Sequence, residues 1–233
     1  MALLNDEELE NSAVVANCEM NRERSLSGSN GYAKEVGLHP LEFLKVRVEA
    51  GRSAAWLDLC CGSGRALIEA AEAAQVDGWR ADIAGIDLAG MFYRHERPGA
   101  APTLIRESLR SWRPDRSYDL ITCVHGLHYM GDKLRTIAHA ASCLVDDGLF
   151  VANLALENLK LSVETTTSRE AATALRRTGL EYDRRKRLVI CRGRKEIDFP
   201  YLYLGAEDGA GANYTGQPAV NSHYRTLTDE RPT

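Results

Sequence analysis

Two carboxylates, a glycine loop and two histidines are the residues in this sequence equipped for chemistry. Asp58 stands near the end of the apolar run Ala54–Leu59, and Cys60, Cys61, Gly62, Ser63 and Gly64 follow before an alanine-rich stretch. Glycines at such a turn let the backbone bend tightly and approach a ligand that a Cβ would hold off. A helix starting there offers N–H groups that have no partner within the helix. Dinucleotides ask for a further glycine where helix and strand pack, and Leu67 holds that place. A carboxylate at the first strand end would also repel a pyrophosphate; it suits an ammonium, a sulfonium or an N–H donor. Asp87 ends a second apolar run, Ile83–Leu88, where a carboxylate can accept from the 2′ and 3′ hydroxyls of a ribose. His125 and His128 lie in VHGLHY after a later run, and each is a candidate general base. The alternative for both is packing around the pocket.

An acid at each of two successive strand ends describes a site for a cationic nucleoside, and S-adenosylmethionine is the obvious candidate. The elements that must position these residues are legible in the pattern of apolar residues. Short apolar runs at Ala54–Leu59, Ile83–Leu88, Thr103–Ser108, Tyr118–Val124 and Leu149–Leu154 have strand length. Between them lie Arg65–Gln75, rich in helix formers, and Gly131–Val145, whose Leu134, Ile137, Ala138, Ala141, Leu144 and Val145 form a helical stripe. Strands alternating with helices predict a parallel sheet covered on both faces. Pro40 followed by Leu41, Leu44 and Val48 predicts a helix stopped at Gly51. A further helix is predicted over Ser168–Arg177, and strand-like runs near Arg187–Cys191 and Ile197–Leu204 are expected to pair as a hairpin.

LDLCCGSG, followed by GIDLAGMF, YDLITCVHGLHYM and LVDDGLFVANL, resembles the class I S-adenosylmethionine-dependent methyltransferases over roughly residues 54–154. The resemblance implies an α/β, Rossmann-like fold: a seven-stranded, mostly parallel sheet with helices on both faces and a C-terminal antiparallel hairpin. It matches Asp58, Cys60, Gly62 and Gly64 to the family's cofactor loop, with Cys60 in the place of its first glycine. Asp87 and Leu88 match the ribose-binding strand end, and Glu107, Ser108 and Leu109 the region that contacts adenine. His125 falls near the methionine moiety. The segment Ala16–Tyr32 is similar to the capping segment of some bacterial members, which makes Tyr32 a candidate to lie over the cofactor. Tyr129, Asn153 and Tyr182 are candidates for substrate contacts, and Asn158 follows the same strand as Asn153. The expected organisation is a helical cap over 1–50, a cofactor-binding core over 51–205 and a C-terminal tail over 206–233.

The 233 residues carry 29 Lys and Arg against 33 Asp and Glu, a formal net charge of −4. That balance lacks the basic footprint of a dedicated nucleic-acid binder, and no Asn-Pro-Pro-Tyr or Asp-Pro-Pro-Tyr follows the fourth run. The expected partner is therefore a small molecule, and neither nucleic acid nor membrane. No run approaches the ~18 apolar residues of a membrane span, and the acidic N-terminus MALLNDEELE is not a secretory leader. Six cysteines without a CxxC pair argue against zinc, so no metal is expected, and they suit reduced thiols in a cytoplasmic protein. The basic run Arg184–Arg187 suits a solvated strand edge. The expected reaction is in-line methyl transfer to a hydroxyl, carboxyl or amine. Two alternatives stay open: a cyclase that closes the cofactor's own aminobutyl chain and releases methylthioadenosine, and a non-catalytic binding protein on the same fold.

Overall fold

The computed structural model of the protein describes residues 3–16, 23–94, 99, 101–161 and 167–227. Cys18 and part of the expected capping segment lie outside the described residues. The chain begins with two short helices, α1 (Asp6–Glu10) and α2 (Ala13–Ala16), then α3 (Tyr32–Val36) and α4 (Pro40–Glu49). Asn5 and Glu8 close a reciprocal cap on α1, which satisfies N–H groups that a helix of this length cannot pair internally. The core continues as β1 (Ala55–Leu59), α5 (Arg65–Val76), β2 (Asp82–Asp87), β3 (Thr103–Arg106), β4 (Tyr118–Cys123), α6 (Lys133–Ser142) and β5 (Leu144–Asn153). After β5 come β6 (Leu159–Lys160), α7 (Ser168–Arg177), β7 (Glu181–Asp183), β8 (Leu188–Arg192), β9 (Tyr201–Glu207) and β10 (Asn221–Thr226).

Seven strands form one sheet in the order β3-β2-β1-β4-β5-β8-β7. β1 to β5 run parallel, and β8 is antiparallel to both of its neighbours. Every residue of β1 and β4 is buried, as expected for the central strands of a sheet covered on both faces. Leu57, Ile121 and Phe150 face one core. Trp56, Leu120 and Val151 face the other, against Leu44 of α4 and Leu67 of α5. The stripe predicted on the helix after β4 is present, with Leu134, Ile137, Ala140 and Ala141 buried, although the helix ends at Ser142. β5 starts at Leu144, before the Asp-Asp-Gly expected to precede it, and a register shift against β4 absorbs the extra residues.

The C-terminal hairpin is made from a different pair of runs than expected. β8 pairs with the upstream β7, and the basic residues Arg184–Arg187 form the turn between them rather than a strand edge. Asp183 Oδ1 accepts from the N–H groups of Arg185 and Lys186 and so pins this turn. The run that includes Tyr201–Leu204 leaves the main sheet. It becomes β9 of a second sheet, ordered β6-β10-β9, and this strand crosses the expected 205/206 boundary. Alternation of Tyr and Leu in YLYL marks a half-buried strand but does not name its partner, which is how the wrong pairing arose.

The second sheet is tied to the first by a buried lysine. Lys133, at the first turn of α6, is 0% exposed. Its Nζ donates to Met130 O at 2.7 Å, Val220 O at 2.8 Å and Ser222 Oγ at 2.9 Å. Tyr224 of β10 donates to Asp132 Oδ1 and accepts from Leu134 N. The loop between β9 and β10 is thereby held against the carboxyl ends of the main strands. No helix among the described residues is long and apolar enough to cross a membrane.

Candidate functional site

A cavity of about 760 Å³ opens at the carboxyl ends of the parallel strands, where open α/β sheets hold their ligands. Its floor is the turn after β1. Cys60, Gly62 and Gly64 all have positive φ, at 58°, 60° and 72°. Gly62 and Gly64 are the residue type this backbone favours; Cys60 holds a left-handed position at a cost. The two cysteines of the turn are accommodated by glycines elsewhere. A Cβ on Gly126 would lie 2.5 Å from Cys60 Cβ and 2.8 Å from the sulfurs of Cys60 and Cys123. A Cβ on Gly85 of β2 would lie 2.4 Å from Leu67 Cδ1 and 2.7 Å from Cys61 Sγ. Gly85 thus supplies the close helix–sheet approach that Leu67 itself does not. Gly126→Ala is expected to destabilise the protein by about 1–3 kcal/mol through overpacking. Adding Cys60→Gly should restore part of that loss in urea unfolding, because it removes the two Cys60 atoms that clash and leaves Cys123 Sγ in place.

Of the two strand-end carboxylates, Asp87 is the one that lines the cavity. Its Oδ2 accepts from Gly62 N at 3.0 Å and its Oδ1 from Ala89 N at 2.9 Å. A carboxylate has about four lone-pair sites, so each oxygen keeps one for a further donor. Leu88, Glu107, Ser108 and Leu109 line the same cavity. Ser108 Oγ donates to Glu10 of α1, and Leu9, Asn11 and Val15 continue that wall.

Asp58 sits differently from its expected place. It is 1% exposed and lies behind Tyr32, which does line the cavity. Tyr32 OH donates to Asp58 Oδ2, and Thr122 Oγ1 donates to Oδ1 at 2.5 Å. Trp56 Nε1 donates to Thr122 Oγ1 at 2.8 Å. Burial pushes the Asp58 carboxyl up to about 7, against the lowering effect of these two hydrogen bonds. A cation brought beside it would favour the ionised form.

His125 lines the cavity at the end of β4, in a left-handed conformation with φ 60°. Its N–H donates to Asn153 Oδ1 at 3.2 Å. Its Nε2 lies 2.8 Å from Glu35 Oε2 and its Nδ1 lies 3.3 Å from His128 Nε2. His128 is 1% exposed and outside the cavity wall, and burial pushes its imidazole down to about 3. Tyr129 lines the wall and donates to Oε1 of Gln217, which reaches the cavity from the loop between β9 and β10. Tyr182 donates to Leu154 O, away from the wall, and Asn158 donates to Asn221 Oδ1 of the second sheet. The structure therefore brings Tyr32, Cys60, Gly62, Asp87, Leu88, Ser108, Leu109, His125 and Tyr129 to one cavity. Asp58, His128 and Asn153 stand behind that wall, and Gly64 and Tyr182 are set off from it. Glu35, Thr122 and Gln217 escaped the sequence reading. A lone glutamate in a short helix, a strand threonine and a glutamine in a Gly-rich tail carry no motif.

The fold is of the doubly wound, mostly parallel α/β class, with its cavity at the carboxyl ends of the parallel strands. Residues 34–188, two thirds of the chain, match the family model for the methyltransferase domain, and the protein belongs to that family. A search of curated proteins finds no match. Among solved structures, magnesium protoporphyrin IX methyltransferase (ChlM) from Synechocystis PCC 6803 with bound SAM is similar at 16% identity. That alignment covers 84% of this chain and 100% of ChlM, with a TM-score of 0.49. The sugar N-methyltransferase KedS8 from Streptoalloteichus sp ATCC 53650 is similar at 16% identity over 67% of this chain and 87% of KedS8, with a TM-score of 0.46. The plantazolicin methyltransferase BpumL, in complex with SAH and a monoazolic desmethylPZN analog, is similar at 14% identity. It is covered over 42% of its length and covers 48% of this chain, with a TM-score of 0.38. The chain spans only about half of BpumL in its other complexes as well.

Proposed function

We propose that the protein transfers the methyl group of S-adenosylmethionine to an oxygen or nitrogen of a small molecule. The observation that carries the reading is Asp87: a cavity-facing carboxylate, braced by Gly62 N–H and Ala89 N–H, with one acceptor site left on each oxygen. Bound S-adenosylmethionine supplies a methyl group activated by the sulfonium charge. The chain's own residues then have mainly to bind, align and exclude water. Asp87 accepts from the ribose hydroxyls. Gly62 and the turn around it let the backbone close on the ligand. Leu88, Ser108 and Leu109 hold the adenine end. Tyr32 covers the methionine end, with Asp58 behind it as the nearby negative charge. Tyr129 and Gln217 flank the acceptor, and His125, with His128 behind it, is the base where the acceptor is a hydroxyl.

The experiment incubates the protein with S-adenosylmethionine, first alone and then with panels of small hydroxyl, carboxyl and amine compounds, and reads nucleoside products by mass spectrometry. The expected result is intact cofactor without an acceptor and S-adenosylhomocysteine plus a product heavier by one methylene with one. Methylthioadenosine formed without any acceptor, above the spontaneous rate, would replace methyl transfer with cyclisation.

A further inference from the structure

The loop before α3 brings a fixed positive charge to the cavity. Arg24 lines the wall, and its side chain is 11% exposed. A guanidinium stays charged at any ordinary pH. The other arginines of the wall come from the end of β3, the loop after it and α6: Arg106, Arg110, Arg113 and Arg135. Arg24 belongs to the His125 end. Glu35 joins the two, with Oε2 2.8 Å from His125 Nε2 and Oε1 3.5 Å from Arg24 NH1. At 3.5 Å, Glu35 balances charge without taking a good hydrogen bond. Arg24 NH1 donates to Asn30 Oδ1 at 2.8 Å. Among the described residues, Nε and NH2 have no hydrogen-bond partner. Three of the five N–H donors are therefore open on a mostly buried side chain. Such a fork matches the two oxygens of a carboxylate.

The loop holds this fork in place. Leu26 N donates to Glu69 Oε2 at 2.8 Å, which ties the loop to α5, the helix that follows the cofactor turn. Ser25 Oγ donates to Ser27 O at 2.8 Å. Asn30 accepts from Arg24 and donates through Nδ2 to Glu23 O at 3.2 Å, so it grips the arginine and the residue before it. A Cβ on Gly31 would lie 2.6 Å from Ser27 C, and only glycine lets the loop close this tightly. A cation fixed in advance loses little freedom when its ligand arrives.

We propose that Arg24 is a specificity-determining residue: its open donors bind the carboxylate of the cofactor's methionine moiety, so the site selects S-adenosylmethionine that carries an intact amino acid. The proposal rests on the methyltransferase reading above and deepens it. The charges around Arg24 suit a zwitterion. Glu35 supplies negative charge 3.5 Å away, and Asp58 stands behind Tyr32. A ligand with the ammonium but no carboxylate leaves the fork empty and sets a like charge near the guanidinium.

The test is calorimetric titration of wild type, Arg24→Met and Arg24→Lys with S-adenosylmethionine, its decarboxylated form and methylthioadenosine. The decarboxylated form keeps the sulfonium and the ammonium and lacks only the carboxylate. Methylthioadenosine carries neither charge and reports on the nucleoside part of the site. Wild type should prefer S-adenosylmethionine to the decarboxylated form by on the order of 10- to 100-fold, the range for hydrogen bonds to a charged group. Arg24→Met should bring this ratio close to one and leave methylthioadenosine affinity unchanged. Arg24→Lys should keep only part of the ratio, because an ammonium retains the charge and loses the planar fork. Should Arg24→Met not fold, Arg24→Lys decides by the same ratio. A merely structural role would weaken all three ligands together. That parallel loss in a folded variant, an undiminished ratio, or a wild type indifferent to the carboxylate overturns the proposal and leaves methyl transfer standing. A wild type that binds none of the three overturns the cofactor reading and the task of Arg24 with it.

Discussion

Asp87→Ala should weaken S-adenosylmethionine binding by about 1.5–3 kcal/mol, on the order of 10- to 100-fold, the range for losing hydrogen bonds to a charged group. Two losses combine. The ribose hydroxyls lose their acceptor, and the Gly62 and Ala89 N–H groups lose theirs, so the turn that forms the cavity floor is no longer braced. Asp87→Asn controls for side-chain volume. One amide oxygen cannot accept from both backbone groups and the ribose in the same geometry, so its affinity should fall nearly as far while the side-chain volume is preserved. Isothermal titration calorimetry, with thermal unfolding run in parallel, reads both variants. Affinity within twofold of wild type in a folded Asp87→Ala would falsify the ribose role.

Lys133→Met carries the largest expected effect on stability. Methionine fills the space of the lysine stem but leaves Met130 O, Val220 O and Ser222 Oγ without their buried donor. Abandoning buried acceptors costs about 1–3 kcal/mol each before any relief from removing a buried charge. A net loss of about 3 kcal/mol, or roughly 6–12 °C in Tm for a chain of this size, is the expected outcome. The pH dependence has a definite sign. Burial lowers the Lys133 ammonium from 10.5 to about 7. Between those values the unfolded chain binds a proton that the folded chain does not. Stability from this group therefore rises with pH from about 7 to 10.5 and is lost as pH falls through that window. Urea unfolding should show the gap between wild type and Lys133→Met widening over that range. A gap that stays constant would mean that Lys133 remains charged against its three oxygen partners.

Much of the scaffold was legible because it is written in local rules. Strands buried on both faces must be apolar, which exposed β1 and β4. A helix with one buried face must repeat its apolar residues, which exposed α5 and α6. The tight turn at Gly62 and Gly64 needs positive φ, so the loop showed itself by composition. Asp87 was readable for the same reason: its place is set by the end of its own strand. For α7, the predicted limits Ser168–Arg177 coincide with the observed ones, since Thr167 and Glu170 cap it with residues adjacent in sequence.

Tertiary structure alone decided what depends on distant partners. Strand periodicity specifies which face of YLYL is buried but not the edge it joins, and docking of β10 on α6 through Lys133, Ser222 and Tyr224 drew β9 into a second sheet. Gly85 and Gly126 were unremarkable glycines until packing placed them against the side chains of Cys61 and Cys60. Asp58 was legible as an acid at a strand end, but only the fold laid Tyr32, 26 residues earlier, between it and the cavity. Glu35 and His125 are 90 residues apart and belong to elements with no shared periodicity. Chain composition and spacing determine local geometry, and a site assembled across a sheet is settled by which surfaces bury against each other.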